Sequence, residues 1–527
     1  MNRNSVVFIA FEERENLGIG YMHAILSEAG YDISIIDIRK DKAKILKELQ
    51  ELNPMLVGFS IIFENYIYDF QELIDYLRKN GIQSHFTAGG HFASLRSADL
   101  FEISPSLDSM VRFEGERTIL DLVNHLHQGK DWKKVAGISY RNTGALVNNA
   151  LRELEPDLDT FPFPYRPEIK EYALEKKYAT LLAGRGCIYN CAFCDIREFY
   201  GQSPGPVKRI RKPERVVEEM KYLFKEHECR VFLFQDDDFP VKTNRTEAWV
   251  QEFCKALRKR NLNGNVIWKI NCRPDEVDFD LFDLMKEHGL FKVYLGIEDG
   301  TDAGLKQMNK RLKVSDHNEG IQILKELGIS IDYGFMLFQP SSTYNSVNEN
   351  IAFLEQICQD GYMPVSFLKM MPYLATRIEK ELREQGRLKG RSGFLDYDFH
   401  EKSMDNFYFF VSECFNSWFN APDGLSNYSK WALNYLSVFT FFNGSFAGIK
   451  RISERIIYEV ADANHFTIKT MKELSALFES GDYSMENDIV LDKYRSSIEQ
   501  KHTSAVKSAS DILEQIEICD LTKGLFI

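Results

Sequence analysis

Long apolar runs are missing from this chain. No uninterrupted stretch approaches the roughly 20 residues that a bilayer-spanning helix needs, which excludes a helical membrane protein. Positive charge is also short: Lys and Arg total 65 against 78 Asp and Glu, a formal net charge of -13. Such a balance repels a phosphate backbone, so broad electrostatic binding of nucleic acid is disfavoured. Residues 1 to 20 mix Arg14 with Glu12, Glu13 and Glu15 and lack the basic-then-apolar order of a secretory signal. These absences predict a cytoplasmic address, with neither a membrane nor a nucleic acid as partner. Cysteine is sparse as well, nine in 527 residues, and an odd number scattered over a long chain makes a poor disulfide framework. The sequence contains no internal repeat and no long low-complexity tract.

What is present is a folded globular composition, with 44% apolar and 13% aromatic residues. The length exceeds what one core normally serves and predicts about two or three domains. Over residues 1–150, the runs SVVFIA, DISIIDI, MLVGFS, SHFTAGG and SMVRF read as strands. Amphipathic helices fit near Tyr21 to Glu28, Asp41 to Leu52, Tyr68 to Lys79 and Thr118 to His127. This alternation predicts an α/β, doubly wound parallel sheet of flavodoxin-like or Rossmann-like type, whose ligands bind beyond the carboxyl ends of the strands. Gly18, Ser60 and the Gly89-Gly90 pair fall there.

Residues 151–177 hold Pro156, Pro162, Pro164 and Pro167, which suits an extended linker. From 178 to 381 the alternation resumes with ATLLAG, RVFLFQ, VIWKIN, KVYLGI, ISIDYGFMLF and VSFLKM. Helical patterns separate these runs, and right-handed crossovers would curl six such βα units into a partial (βα)6 barrel. Residues 382–527 are charged, aromatic-rich and helical in pattern. Aromatic stretches such as FYFFVSECFNSWF fit helix-core packing better than a cap over the barrel.

Only Cys187, Cys191 and Cys194 lie close together, in GRGCIYNCAFCDIREFYG directly after a candidate strand. Three thiolates on one loop can hold three irons of a 4Fe-4S cluster and leave the fourth open, whereas a closed zinc site or an electron-transfer cluster normally needs a fourth protein ligand. A zinc site completed by His227 or His288 is the competing reading. The remaining six cysteines, Cys229, Cys254, Cys272, Cys358, Cys414 and Cys519, are expected to be structural thiols. KRIRK at Lys208 to Lys212 is the strongest basic run and is expected to form a solvated face, or to dock an anionic partner.

The CxxxCxxC loop after the first barrel strand resembles the signature of the radical S-adenosylmethionine (SAM) superfamily, over roughly residues 178 to 375. That resemblance implies an open iron that chelates the amino and carboxylate groups of SAM, and reductive cleavage of the sulfonium to methionine and a 5′-deoxyadenosyl radical. It implies a one-electron donor such as flavodoxin or ferredoxin. Phe193 matches the family residue beside the adenine. Within QDDDF, Asp236 and Asp237 match positions that contact the methionyl ammonium, a pairing a carboxylate suits; a solvated turn or a cation site is the alternative for this triplet. Arg273 could pair with the methionyl carboxylate, and Glu298 in GIEDG could contact ribose or substrate, while either residue could equally form a structural salt bridge.

The amino-terminal 130 residues resemble the cobalamin-binding domain that precedes the barrel in one large subgroup. The resemblance rests on GFS ending at Ser60, AGGHFAS containing Gly89 and Gly90, and FEGE containing Glu114 and Gly115. It implies that these residues approach or hydrogen-bond the cobalamin. Where many such domains carry DxHxxG, this chain reads Glu13-Arg14-Glu15-Asn16-Leu17-Gly18, so the resemblance implies cobalamin without a protein histidine ligand. His23 and His91 are out of register with that position. The implied activity is C-methylation of an unactivated carbon of a small-molecule biosynthetic intermediate. Radical cyclisation, ring contraction or oxidation with the same cofactors stands beside it. An iron-sulfur electron carrier and a nucleic-acid methylthiotransferase fit the cysteine count and the charge less well.

Overall fold

In the computed structural model, which describes residues 2–12, 15–241, 246–444, 447–485 and 489–522, the apolar alternation becomes two α/β units. The first comprises residues 1–168, 184–211 and 372–396, and the second residues 169–183, 212–371 and 397–527.

The strands of the first unit begin with β1 (Asn2–Ala10), β2 (Asp32–Asp37), β3 (Pro54–Ser60), β4 (His85–Gly89) and β5 (Ser109–Val111). They pair in parallel in the order β2-β1-β3-β4-β5, a doubly wound arrangement. Alternate residues of β1 face opposite ways. Val7 and Ile9 join a core with Phe59, Phe70 and Phe86, while Val6, Phe8 and Ala10 join another with Leu26, Ile119 and Leu122. Both faces are thus apolar and covered by helices, which is why these strands read as continuous apolar runs. Gly58 has a packing reason: a Cβ there would sit 2.7 Å from the Phe8 ring.

Two strands that the periodicity did not reveal extend the sheet. β6 (Ile138–Asn142) and β7 (Ala145–Asn148) add antiparallel to β5. Thr143 and Gly144 join them with φ of 49° and 87°, the left-handed pair that a tight two-residue hairpin turn requires.

In the second unit, β8 (Glu171–Ala173) and β9 (Lys176–Leu181) precede the cysteine loop. That loop, in the first unit, is bracketed by β10 (Gly184–Arg185) and β11 (Arg209–Ile210). The second unit continues with β12 (Cys229–Phe234), β13 (Ile267–Cys272), β14 (Leu290–Glu298) and β15 (Ser330–Phe335). The sheet order is β15-β14-β13-β12-β9-β8, parallel from β9 to β15, with β8 antiparallel at the edge. VSFLKM, expected as the sixth barrel strand, is reduced to a single parallel bridge between Phe338 and Lys369.

The carboxyl-terminal region is helical as expected. Helices Leu425–Asn443, Ala447–Ser480 and Ile489–Thr522 pack Val438, Phe439, Ile456 and Ile516 against Val231, Ile267 and Phe291 at the foot of the barrel. Many of its aromatics are core: Phe407, Phe410, Phe415 and Trp418 are buried, whereas Phe409 and Tyr458 are exposed. Asn464, itself buried, accepts from the Val365 N–H at 2.7 Å and donates to the Cys358 and Met363 carbonyls, tying the turn before VSFLKM to the long helix. Among the described residues no helix is long and apolar enough to cross a membrane. Cys229, Cys254, Cys272 and Cys358 are buried thiols as expected, whereas Cys414 and Cys519 are partly exposed.

Candidate cofactor-binding site

In the first unit, β10 and β11 pair antiparallel on either side of the cysteine loop. Gly184 and Gly186 permit that closure. A Cβ at Gly184 would lie 2.5 Å from the Arg209 carbonyl oxygen, and Gly186 adopts φ of 79° against the Val207 carbonyl, a conformation that L side chains disfavour.

Buried ion pairs hold the two strands. Arg185 bonds Glu116 at 2.6 Å and Glu114 at 3.2 Å, and Arg209 bonds Glu114 at 2.8 Å. Arg211 lies 3.5 Å from Asp159. The solvated face expected of KRIRK is therefore corrected: Arg209 and Arg211 are buried, because three carboxylates distant in sequence, Glu114, Glu116 and Asp159, converge on them and on Arg185. Glu114, named from sequence as a cobalamin contact, is held below the usual carboxylate range by these two guanidiniums, which outweigh its burial.

Cys187, Cys191 and Cys194 are all partly exposed on this loop. Burial pushes the Cys194 thiol up to about 12, with Asp195, Cys191 and Cys187 adding like charge. A thiolate so placed is favoured only by a cation at the sulfur, which suits a metal ligand. Among the described residues no three His, Cys, Asp or Glu groups are arranged to hold a single ion; thiolates that each bind a different iron need not converge on one point. The competing zinc ligand His288 is occupied, its ring bonding the Leu284 carbonyl and Arg258. Phe193 stands in the turn between Cys191 and Cys194 and is partly exposed.

Sequence reading missed a polar cluster behind the last cysteine. His91 Nδ1 lies 3.1 Å from Asp195, and its ring stacks on Phe199 at 4.3 Å. Glu64 is lifted to about 7 by burial first and then by Asp195, against Arg96. The signals were present, an Asp directly after the third cysteine and the His of AGGHFAS, but nothing local pairs them.

At the carboxyl ends of β3 and β4, Ser60 pairs with Gly89 in register. Gly90 adopts φ of 110° with its Cα against the Ile61 carbonyl, where a Cβ would clash. The loop beyond Ser60 exposes Phe63 by 54% and Ile62 by 39%, apolar surface of the kind a flat macrocycle covers. Gly115 begins the helix Glu116–His127, and a Cβ there would sit 2.6 Å from Met22. Of the frame that replaces DxHxxG, Glu13 and Arg14 lie outside the described residues. Glu15 forms a 2.8 Å ion pair with Arg166, both side chains buried. His23 stacks on Tyr165 at 3.7 Å.

In the second unit, the remaining candidates stand at the carboxyl ends of their strands. Asp236 is buried and accepts from the Ala183 N–H at 3.0 Å, while Asp237 is exposed. Arg273 donates to Asp275 at 3.0 Å, and its backbone N–H donates to Glu276 at 2.9 Å. Burial and then Asp238 raise Glu276 to about 8. Glu298 adopts φ of 68°, a strained conformation for a non-glycine residue. It is paired at 3.2 Å with Lys310, a buried lysine that sequence reading missed. Asp299 holds the adjoining turn through Thr301 and Asn350.

A radical SAM superfamily model matches residues 181–354, and a B12-binding domain model matches residues 9–123. The chain is a radical SAM enzyme. Within that superfamily it belongs to the branch whose barrel follows a cobalamin-binding domain, so its cofactors are a 4Fe-4S cluster, SAM and cobalamin.

Two curated relatives and one solved structure illustrate the branch. Cytidylyl-2-hydroxyethylphosphonate methyltransferase of Streptomyces wedmorensis is 25% identical over 70% of this chain and 78% of that protein. Anaerobic magnesium-protoporphyrin IX monomethyl ester cyclase of Rubrivivax gelatinosus is 26% identical over 68% of this chain and 66% of that protein. The cobalamin-dependent SAM radical enzyme OxsB, solved with aqua-cobalamin and SAM bound, shares the fold. Its TM-score is 0.68 at 16% identity, over 99% of this chain and 81% of that one. The residues described above fit these groups: one loop with three accessible thiols, and strand ends with an exposed apolar rim.

Proposed function

We propose that this enzyme is a C-methyltransferase acting on an unactivated carbon of a small-molecule biosynthetic intermediate. The observation that carries the reading is Glu15, which stands in the sequence where DxHxxG domains carry their histidine and is paired with Arg166. The amino-terminal loop thereby offers cobalt no imidazole, an arrangement common in radical enzymes of this subgroup. When bound, the cluster and SAM supply a 5′-deoxyadenosyl radical that removes a substrate hydrogen, and cobalamin supplies the methyl group.

The protein's own part is positioning. Cys187, Cys191 and Cys194 ligate the cluster, and the loop beyond Ser60 with the Gly89-Gly90 strand end receives the corrin. In the second unit, Asp237 would take the ammonium of SAM and Glu298, oriented by Lys310, its ribose; on the cysteine loop, Phe193 would serve the adenine. Asp236 and Arg273 shape that site from behind through Ala183 and Asp275. A flavodoxin-like or ferredoxin-like protein donates the electron. Holding both groups around one substrate supplies the proximity such a transfer needs.

Anaerobic reconstitution with iron, sulfide and hydroxocobalamin, followed by product analysis, tests the reading. Methylation requires S-adenosylhomocysteine to accumulate beside 5′-deoxyadenosine. If 5′-deoxyadenosine forms alone with substrate present, the reaction is instead cyclisation, ring contraction or oxidation, the reading favoured by the likeness to the cyclase.

A further inference from the structure

The second unit contains a cavity of about 350 Å³ at the opposite end of the barrel from the cofactor candidates. Its walls come from the first residues of β14 and β15, and from helices Leu425–Asn443 and Ala447–Ser480. Lys292 lines the cavity and Glu298 ends the same strand six residues on, so about 20 Å of β-strand separates them. The volume is within the range of small-molecule sites.

The wall has two chemistries. Leu433, Leu436, Phe441, Ile329 and Ile457 make it largely apolar, and Lys286, Lys292, Lys325 and Lys430 make it cationic, with Asp332 the sole lining carboxylate among the described residues. Two of these lysines are already satisfied: Lys292 bonds Asp332 at 2.6 Å and Asn434 at 2.7 Å, and Lys325 bonds Asp360. Among the described residues, Lys286 and Lys430 have no ion-pair partner within bonding distance. Deeper in the barrel, burial and then the Lys292 ammonium, against Asp332, bring Lys269 down to about 8. The polar stitching that frames the space is ordered, with Ser330 and Ser437 hydroxyls 2.7 Å apart.

We infer that this cavity is a binding site for an amphipathic anion, a carboxylate or phosphate head on an apolar body of medium-chain length. The head is neutralised by Lys430 and Lys286, and the body covers Leu433, Leu436 and Phe441. A neutral apolar molecule would gain nothing from Lys286, which is exposed, or from Lys430, which is half-buried, and a small inorganic anion would leave the apolar wall wet. Bound there, the ligand bridges the barrel foot and the carboxyl-terminal helices, at the other end of the strands from Asp237 and Glu298, as an effector or structural ligand does.

The test is anaerobic calorimetric titration of the full-length, reconstituted enzyme with decanoate, decyl phosphate and decanol, each below its micellar concentration. Saturable one-to-one binding of either anion is expected, with decanol at least tenfold weaker; the head group that binds identifies the ligand as an acid or a phosphate ester. The double variant K286Q/K430Q is expected to weaken binding by about tenfold or more. Ser437→Trp, which fills the cavity, is expected to abolish binding while circular dichroism and SAM cleavage stay unchanged. Non-saturable uptake, equal binding of decanol, or anion binding indifferent to both variants overturns the inference.

Discussion

Replacing Gly186 by alanine tests whether the cysteine loop depends on the strand pair that brackets it. At φ of 79° an alanine is disfavoured, by about 1–2 kcal/mol. Its Cβ also meets the Val207 carbonyl oxygen, a backbone atom that cannot swing aside. Relief requires separating β10 from β11, which forfeits their short ladder at about 1 kcal/mol per hydrogen bond. The sum is about 3–4 kcal/mol, concentrated on the residue preceding Cys187. The arginine–glutamate pairs on both strands oppose global unfolding, so the loss should appear as a displaced cysteine. After anaerobic reconstitution, G186A is expected to hold less than half the wild-type iron and sulfide and to cleave SAM at least tenfold more slowly, with its far-ultraviolet circular dichroism retained. Gly201→Ala, where a Cβ meets nothing within 4 Å, serves as the control. A G186A enzyme with a full cluster and wild-type cleavage would refute the reasoning.

Three further outcomes follow from particular groups. Glu114→Ala strips both Arg185 and Arg209 of a buried partner and should cost about 3–5 kcal/mol in urea denaturation; a loss below 1 kcal/mol would show the network to be idle. His317 is fully buried, and burial holds its ring at about 4 against an ordinary 6.5. The fold therefore keeps it neutral while the unfolded chain protonates it, so stability falls as pH drops from 6.5 towards 4, by up to about 3 kcal/mol. His317→Phe should flatten that part of the acid limb, and an unchanged limb would exclude His317 as its source. With Glu15 bound to Arg166, labelling the histidines with nitrogen-15 should leave the cobalt electron paramagnetic resonance spectrum unchanged, and an altered superhyperfine pattern would reveal a protein imidazole.

The elements were legible because apolar periodicity is a local property. Phe8 and Ile9 declare a strand buried on both faces, and the later destination of each side chain does not alter that pattern. The hairpin of β6 and β7 escaped notice because its residues are half polar and its turn signal is the short Thr143-Gly144 pair. VSFLKM has a strand's composition, yet only Lys369 finds a bridge partner, since strand formation also depends on a neighbouring edge in register.

By itself, the sequence determined the fold class, the order of the two cofactor domains and the cysteine loop, each of which is written in neighbouring residues. Only the tertiary structure decided what the charged residues do. Arg209 is paired with Glu114, Glu15 with Arg166, Arg273 with Asp275, and Glu298 with Lys310. A charge exposed to water and a charge buried against a partner look the same in one dimension. The field that separates them acts through space, from residues that are mostly distant in the chain.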